Sequence, residues 1–293
     1  MGLVLATFNV LDLFDATDTP RIERIAALLH PHAPDVVALQ EVGGESACTA
    51  IGEALGGGYT QVLGDADARG IRCALLTRRP IVASAVLRAK SLPFPRFFRE
   101  DAVPFEGRIP LRRAVPDVVV DASELGHVRV MVVHFKSRRG TPMRDEAGET
   151  LEPKTTHELV EAETRAVVWR AAEALFVRSA VDEHLLDDPD EMLVVCGDFN
   201  DVAGSLPLRI VRGASEPAHT DELVSLAGRV PITECVSVMH DGEPAAIDHI
   251  LVSRTLAPRV ERAFYERMGL GDVVRQDAGT FASDHAPFVV RFV

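Results

Sequence analysis

The order of apolar and polar residues predicts many short strands, several of which end in polar side chains. Apolar runs of strand length occupy residues 3–9, 35–39, 61–63, 73–77, 81–87, 117–120, 128–133, 192–196, 247–252 and 288–292. Runs this short and this rich in Val, Leu and Ile are typical of buried strands. The pattern therefore predicts a protein whose core is built mainly from sheets.

Helical spacing is found in a few segments between these strands. A helix with Thr19 as its N-cap and Pro20 in its first turn is predicted from the i, i+3, i+4, i+7 spacing of Ile22, Ile25, Ala26 and Leu29. Further helices are predicted at about 45–55 and 158–181, with a short helix or turn at 206–211. The long helix is expected to bury Val160, Val167, Ala171, Ala174 and Leu175. Strands interrupted by a few helices indicate a mixed α/β fold, and without a repeat or a linker we interpret residues 1–293 as one domain.

Composition narrows the class of protein. The chain has 293 residues, 47% of them hydrophobic, and no apolar run approaches the roughly 18 residues of a membrane span. The N-terminal residues carry no basic segment typical of a signal peptide, so we expect a cytoplasmic protein, or a secreted one if a leader was removed. Four widely spaced cysteines argue against a disulfide scaffold or a zinc ribbon.

Charge is distributed unevenly along the chain. The formal net charge is −13, which is unfavourable for binding polyanions. Residues 69–144, however, hold 16 Lys and Arg against 6 Asp and Glu, a local net charge of +10. This basic segment can guide an anionic substrate if its cations share a face of the protein.

The loop at 91–110 belongs to this basic segment and holds four phenylalanines. Arginines are interleaved with Phe94, Phe97, Phe98 and Phe105. Such a loop can stack bases and pair with phosphates, but we expect most of these rings to anchor the loop to the core.

Polar residues with metal-binding or proton-transfer capacity follow six of the predicted strands. The strongest example is Gly197-Asp198-Phe199-Asn200-Asp201, which ends the apolar run 192–196. Adjacent carboxylates repel one another unless a cation or a proton lies between them, and hard cations prefer oxygen ligands. Turn chemistry alone explains one such cluster equally well, because Asp, Asn and Gly are common turn residues. It does not readily explain all six, which comprise Asn9, Gln40-Glu41, His134 with Lys136, Asp198 with Asn200, Asp248, and Ser283-Asp284-His285.

These motifs together resemble the endonuclease/exonuclease/phosphatase superfamily, whose fold is like that of DNase I. In the family's order they are Thr7-Phe8-Asn9-Val10, Leu39-Gln40-Glu41-Val42, His134-Phe135-Lys136-Ser137, Gly197-Asp198-Phe199-Asn200-Asp201, Ile247-Asp248-His249-Ile250 and Ser283-Asp284-His285. The resemblance spans residues 7–285, and the His-Phe-Lys-Ser piece is most similar to bacterial nuclease-type members. It implies two β-sheets packed face to face in a sandwich flanked by helices, with the site at one end.

The resemblance also implies a role for each residue. Glu41 would be the principal ligand of Mg²⁺, with Mn²⁺ as a possible substitute, and Asn9 and Asp284 would complete or support that metal site. Asp198 and Asn200 would position the attacking water and hold a phosphate oxygen. His285 would contact the scissile phosphate or transfer a proton, and Asp248 would orient either His134 or His285.

The expected function is therefore divalent-metal-dependent hydrolysis of phosphodiesters, with nucleic acid or another phosphate ester as the partner and no protein partner inferred. Lys136, Arg108 and Arg112 are predicted to stabilise the substrate phosphate through charge-assisted hydrogen bonds. The alternative is a phosphomonoesterase or a phospholipid or inositol-phosphate hydrolase of the same fold, which the net charge of −13 favours. A non-catalytic binding module would be expected only if residues such as Glu41 or His285 were replaced, and they are present.

Overall fold

The computed structural model describes residues 2–102, 104–213, 221–276 and 280–293. In chain order its strands are β1 (Leu3–Leu13), β2 (Val36–Val42), β3 (Thr60–Leu63), β4 (Arg72–Thr77), β5 (Ile81–Leu87), β6 (Val115–Asp121), β7 (His127–His134), β8 (Met143–Arg144), β9 (Thr150–Leu151), β10 (Leu193–Asp198), β11 (Val224–Ser225), β12 (Val238–His240), β13 (Glu243–Ala245), β14 (Asp248–Val252), β15 (Val260–Tyr265) and β16 (Phe288–Phe292). The α-helices are α1 (Thr19–Leu29), α2 (Glu45–Ala54), α3 (Thr156–Asp187) and α4 (Leu206–Arg212).

Two mixed sheets form the centre of the described structure. The first has the strand order β15-β16-β1-β2-β4-β3, and the second has the order β11-β14-β10-β7-β6-β5. Two small ribbons, β8–β9 and β12–β13, lie outside these sheets. The predicted two-sheet sandwich flanked by helices is therefore confirmed.

Alternation along each strand divides the apolar residues among three cores. Alternate residues of each strand point to the same face of its sheet, and those on the inner faces fill the space between the two sheets. Examples are Leu5, Ala38, Val132 and Cys196. The residues between them point to the outer faces, where α1 and α2 pack on the first sheet and α3 and α4 pack on the second. Full burial of each Val, Leu or Ile side chain contributes about 1.5–3 kcal/mol relative to its exposure, which makes this layering the main source of stability.

The structure corrects details of the predicted helices. Helix α1 begins at Thr19, and its N-cap is Asp18, whose side chain accepts a hydrogen bond from the Arg21 backbone. On α3, Val160 and Val167 are exposed, contrary to expectation. The buried face of α3 includes Arg170 and Glu173 instead, because both side chains bond groups at the end of the second sheet.

Two further features differ from expectation. Strand β15 was not predicted, because its exposed Glu261 and Arg262 interrupt the apolar pattern at the edge of the first sheet. In the loop at 91–110, Phe97 and Phe98 are 91% and 72% exposed, so they do not anchor the loop to the core.

Among the described helices, none has both the length and the apolarity of a membrane span. The interpretation of the chain as one domain stays a prediction.

Candidate active site

Three adjacent strands of the second sheet present polar side chains at the same level. Asp198 on β10 pairs in register with His134 on β7 and with Asp248 on β14. Directly opposed residues point to the same face of a sheet. These three side chains therefore lie on the inner face to which Val132 and Cys196, two positions earlier on β7 and β10, also belong. The core between the sheets thus changes from hydrocarbon to polar groups at this end of the sandwich.

The local backbone holds Asp198 in place. A Cβ at Gly197 would lie 1.9 Å from the Val133 carbonyl oxygen, so only glycine lets β10 approach β7 this closely. The backbone N–H of Asn200 donates to Asp198 Oδ1 at 2.8 Å, and its side-chain amide donates to Asp198 Oδ2 at 3.1 Å and to the Phe135 carbonyl at 3.0 Å. Asp198 and Asn200 therefore form one rigid unit.

The first sheet contributes Asn9 and Glu41 through an irregularity in its pairing. Strands β1 and β2 are in register at Asn9 and Gln40, and the register then shifts before the next pair, Leu13 and Val42. Glu41 has a φ of 61°, an unfavourable value for a glutamate, as strained backbones at functional sites often show. Asn9 Nδ2 donates to Asp198 Oδ2 at 3.0 Å and so links the two sheets.

A histidine–carboxylate pair faces this unit. His285 Nδ1 donates to Asp248 Oδ2 at 2.8 Å, and His285 Nε2 lies 4.0 Å from Asp198 Oδ2. Of the two histidines considered for Asp248, the structure thus pairs it with His285. His134 instead has its Nε2 3.5 Å from Asp198 Oδ2 and 3.7 Å from Glu41 Oε1.

Burial and mutual repulsion change the acidity of these groups. Burial, with the nearby charge of Asp248, raises the pKa of Asp198 to about 7. Burial and the charge of Asp12 raise the pKa of Glu41. Burial opposes the charged form of His285, but the charge of Asp248 and its hydrogen bond outweigh this and raise the pKa to about 10. The cluster therefore concentrates negative charge that lacks full compensation.

A cleft of about 410 Å³ leads to this cluster, and Glu41, His134, Asp198, Asn200 and His285 line its inner end. Six cations of the basic segment line the same cleft: Arg69, Arg112, Arg113, Lys136, Arg139 and Arg144. The basic segment therefore does bring cations to one face, in spite of the acidic net charge.

Three residues that were predicted for the site do not belong to the cluster itself. Lys136 lines the cleft, but its ammonium group donates to the Ser137 side chain and to the Ser137 and Arg139 carbonyls. Asp284 is half-buried and outside the cleft lining, and its Oδ1 has no hydrogen-bond partner among the described residues. Arg108 is exposed outside the cleft and donates to the Phe105 carbonyl.

Sequence reasoning missed several charged residues around the site. Arg69 lies 3.9 Å from Glu41 Oε1, and Glu173 is fully buried with one carboxylate oxygen accepting the Lys136 backbone N–H at 2.6 Å. Arg170 donates to the Lys136 carbonyl and to Asp201. The available signal was the helical spacing of Arg170 and Glu173 with the buried Ala166, Ala174 and Val177.

The donor set fits a hard divalent cation. Carboxylate oxygens dominate it, and among the described residues four buried ones, Asp12 Oδ1, Glu173 Oε1, Asp248 Oδ1 and Asp284 Oδ1, have no hydrogen-bond partner. Ligand atoms of Asp198, Asp248 and His285 also lie within 4.8 Å of one another. Oxygen-rich sites of this kind favour Mg²⁺, Mn²⁺ or Ca²⁺ over softer metals.

Comparisons with solved structures place the fold in the class of DNase I-like sandwiches. An endonuclease/exonuclease/phosphatase family protein from Bacteroides thetaiotaomicron aligns with a TM-score of 0.63 and 17% identity over 99% of this chain and 94% of that one. Truncated TDP2 from Caenorhabditis elegans gives 0.62 and 16% over 100% and 97%, and an AP endonuclease from Archaeoglobus fulgidus gives 0.59 and 17% over 99% of both.

A sequence model of the Endonuclease/Exonuclease/phosphatase family matches residues 6–285. The chain therefore belongs to this family, whose members are phosphoric ester hydrolases and generally depend on divalent metals. No curated protein matches the sequence significantly.

Proposed function

We propose that the protein is a magnesium-dependent phosphodiesterase that cleaves nucleic acid by attack of water on phosphorus. The observation that carries this proposal is the His285–Asp248 pair, whose free imidazole nitrogen faces Asp198 at the inner end of a cation-lined cleft. An imidazole with one nitrogen fixed by a carboxylate is suited to proton transfer or to hydrogen bonding a phosphate oxygen through the other.

The metal would be held by Glu41, with Asn9 and Asp284 completing or supporting its site. When bound, Mg²⁺ neutralises charge that develops on the phosphate and orients its oxygens. Glu41 suits this role because it lines the cleft with its Oε1 3.7 Å from His134 Nε2, and its backbone conformation is set where the pairing of β1 and β2 is irregular.

The other residues act on the water and on the phosphate. Asp198 and Asn200, held together by two hydrogen bonds, would position the water and hold a phosphate oxygen. His285 Nε2 would hydrogen-bond the scissile phosphate or transfer a proton, while Asp248 keeps the ring in one orientation. Lys136 would offset the charge of the scissile phosphate and Arg112 that of another part of the substrate, and Arg108 has no geometric support for such a role.

Two observations support nucleic acid as the substrate. Six cations line the cleft, which suits a chain of phosphates, and one of the similar structures is described as an AP endonuclease. The net charge of −13 favours the second candidate, a hydrolase of small phosphate esters such as inositol phosphates.

A substrate panel tests the proposal. Purified protein with Mg²⁺ is incubated with plasmid DNA, single-stranded oligonucleotides, RNA and inositol phosphates, each in parallel with EDTA. We expect Mg²⁺-dependent cleavage of a nucleic acid and none in chelator, with activity restored by Mg²⁺ or Mn²⁺. Cleavage confined to inositol phosphates would favour the second candidate, and full activity in EDTA would exclude metal dependence.

A further inference from the structure

Two consecutive arginines before β6 have opposite surroundings. Arg113 is buried, donates to the carbonyls of His134 and Phe135, and pairs with Asp67 at 3.2 Å, so its guanidinium is fully engaged. Arg112 is half-buried and lines the cleft, yet it makes no hydrogen bond or ion pair with any residue that the structure describes. Of these two arginines, only Arg112 is therefore available to an anion in the cleft.

The position of Arg112 is set by an aromatic ring. Its guanidinium carbon lies 5.4 Å from the centroid of the Trp169 ring, and Trp169, on α3, lines the same cleft. Such cation–π contacts hold a guanidinium over the ring, and a guanidinium binds a phosphate through parallel N–H bonds. Burial and the charge of Arg113 lower the pKa of Arg112, so an arriving anion relieves an unfavourable arrangement.

Further cations line the cleft that holds this pair, and they are exposed whereas the catalytic cluster is mostly buried. Arg139 and Arg144 line the same cleft, and Arg144 donates to the Gly148 carbonyl between β8 and β9. A substrate with a single phosphate, bound at the inner end of the cleft, would leave Arg112 without an anion. A substrate with several phosphates would occupy both places.

We propose that Arg112, held against Trp169, forms a second phosphate subsite that binds a non-scissile phosphate of an oligonucleotide. Trp169 is a positioning residue in this subsite, because it acts through Arg112. The inference rests on the proposed nucleic-acid hydrolysis, and it makes the preferred substrate a chain of several phosphates rather than an isolated phosphate ester.

Steady-state kinetics on two substrates test the subsite. One is a thymidine oligonucleotide, and the other is the 4-nitrophenyl ester of thymidine 5′-phosphate, which has one phosphate. Arg112→Ala should raise KM for the oligonucleotide roughly 10- to 100-fold with little change in kcat, because a bond present in both ground and transition states is lost. KM for the single-phosphate ester should stay within about threefold of the parent. Equal losses on both substrates would place Arg112 at the scissile phosphate, and no loss on either would also overturn the proposal.

Two variants of the aromatic ring test the positioning role. Trp169→Leu should raise KM for the oligonucleotide as Arg112→Ala does, whereas Trp169→Phe should keep most of the parent's affinity because it retains a ring. Arg262→Ala is the matched control, since Arg262 lies over the Phe264 ring at 4.5 Å and is exposed outside the cleft. Identical behaviour of the Leu and Phe variants would exclude a role for the ring.

A binding measurement separates this inference from the proposed function. Trp169 is the single tryptophan of the chain, so its fluorescence reports on the subsite directly. In EDTA, the oligonucleotide should change this fluorescence saturably and less at high salt, and Arg112→Ala should abolish the change. A fluorescence change without hydrolysis would refute the function alone, and hydrolysis without a fluorescence change would refute the subsite alone.

Discussion

Two buried ionic clusters in the second sheet show how similar residues can serve stability or chemistry. In what we call the closed cluster, Asp117 accepts two hydrogen bonds from Arg129 at 3.0 and 3.1 Å and bonds His184 at 3.0 Å, and Arg129 also bonds Glu191 at 2.8 Å. In what we call the open cluster, Asp198 and Asp248 share one histidine, His285, and further acids lie nearby.

Asp117 and Asp198 differ in acidity although their solvent exposure is nearly the same. Asp117 is 2% exposed and Asp198 is 1% exposed. Burial favours the neutral form of Asp117, but hydrogen bonds from His184 and Arg129 outweigh it and lower the pKa. For Asp198, burial and the charge of Asp248 raise the pKa to about 7. The closed cluster compensates its acid within the chain, whereas the open cluster leaves negative charge that a bound cation can compensate.

The largest expected effect is a loss of activity that follows a substitution in the open cluster but not the matched substitution in the closed cluster. Glu41→Gln should reduce metal-dependent hydrolysis to the rate measured in chelator, because the amide removes the charge proposed to bind the metal. Its thermal unfolding in EDTA should stay close to that of the parent, since the burial that raises the pKa of Glu41 disfavours its charged form. Glu191→Gln, a matched change in the closed cluster, should keep full activity. Near-parental rates in Glu41→Gln would refute the assigned role.

The next effect concerns the two histidines of the clusters. His285→Ala should lower kcat roughly 100- to 10,000-fold, the usual contribution of a positioned acid or base. His184→Ala should leave kcat unchanged and lower stability, because it removes a partner of Asp117. Rates with Mg²⁺ and urea unfolding of both variants check this. Parallel losses of activity and stability in both would mean that the clusters do not differ as proposed.

The open cluster could be located from the sequence in outline but not in detail. Strand ends with polar tips identified His134, Asp198 and Asp248, because register in a sheet follows the apolar alternation. The pairing of Asp248 with His285 could not be chosen over His134, since it depends on contacts between distant parts of the chain, such as the bridge between His285 and Val238 of β12.

For other parts of the structure, the sequence pattern gave only a weak signal. Glu173 and Arg170 look like ordinary surface charges of a helix, and only their contacts with Lys136 and Asp201 bury them. The closed cluster was missed for a similar reason, because Asp117 and His184 are 67 positions apart. Fold class follows from periodicity within single elements, whereas charge pairing depends on three-dimensional contacts between elements.

A smaller effect is expected from the closed cluster itself. Asp117→Asn should lower the free energy of unfolding by about 2 kcal/mol at neutral pH, because charge-assisted bonds to Arg129 and His184 are weakened. Activity with Mg²⁺ should stay parental, since Asp117 is outside the cleft lining. Urea denaturation measures the first quantity, and a larger loss of activity than of stability would contradict the comparison.

The smallest effect is the pH dependence of the difference in unfolding free energy between the parent and Asp117→Asn. The pKa of Asp117 is lowered in the folded protein, so its ionised form stabilises the fold above the unfolded value of about 3.9. This contribution is lost as pH falls through the lowered folded pKa, where Asp117 gains a proton in both states. The stability gap between the parent and Asp117→Asn should therefore shrink as pH falls from about 5 to below about 4. Urea unfolding of both proteins over this acidic range measures the gap, and a gap that does not shrink there would show that Asp117 is not held in its charged form.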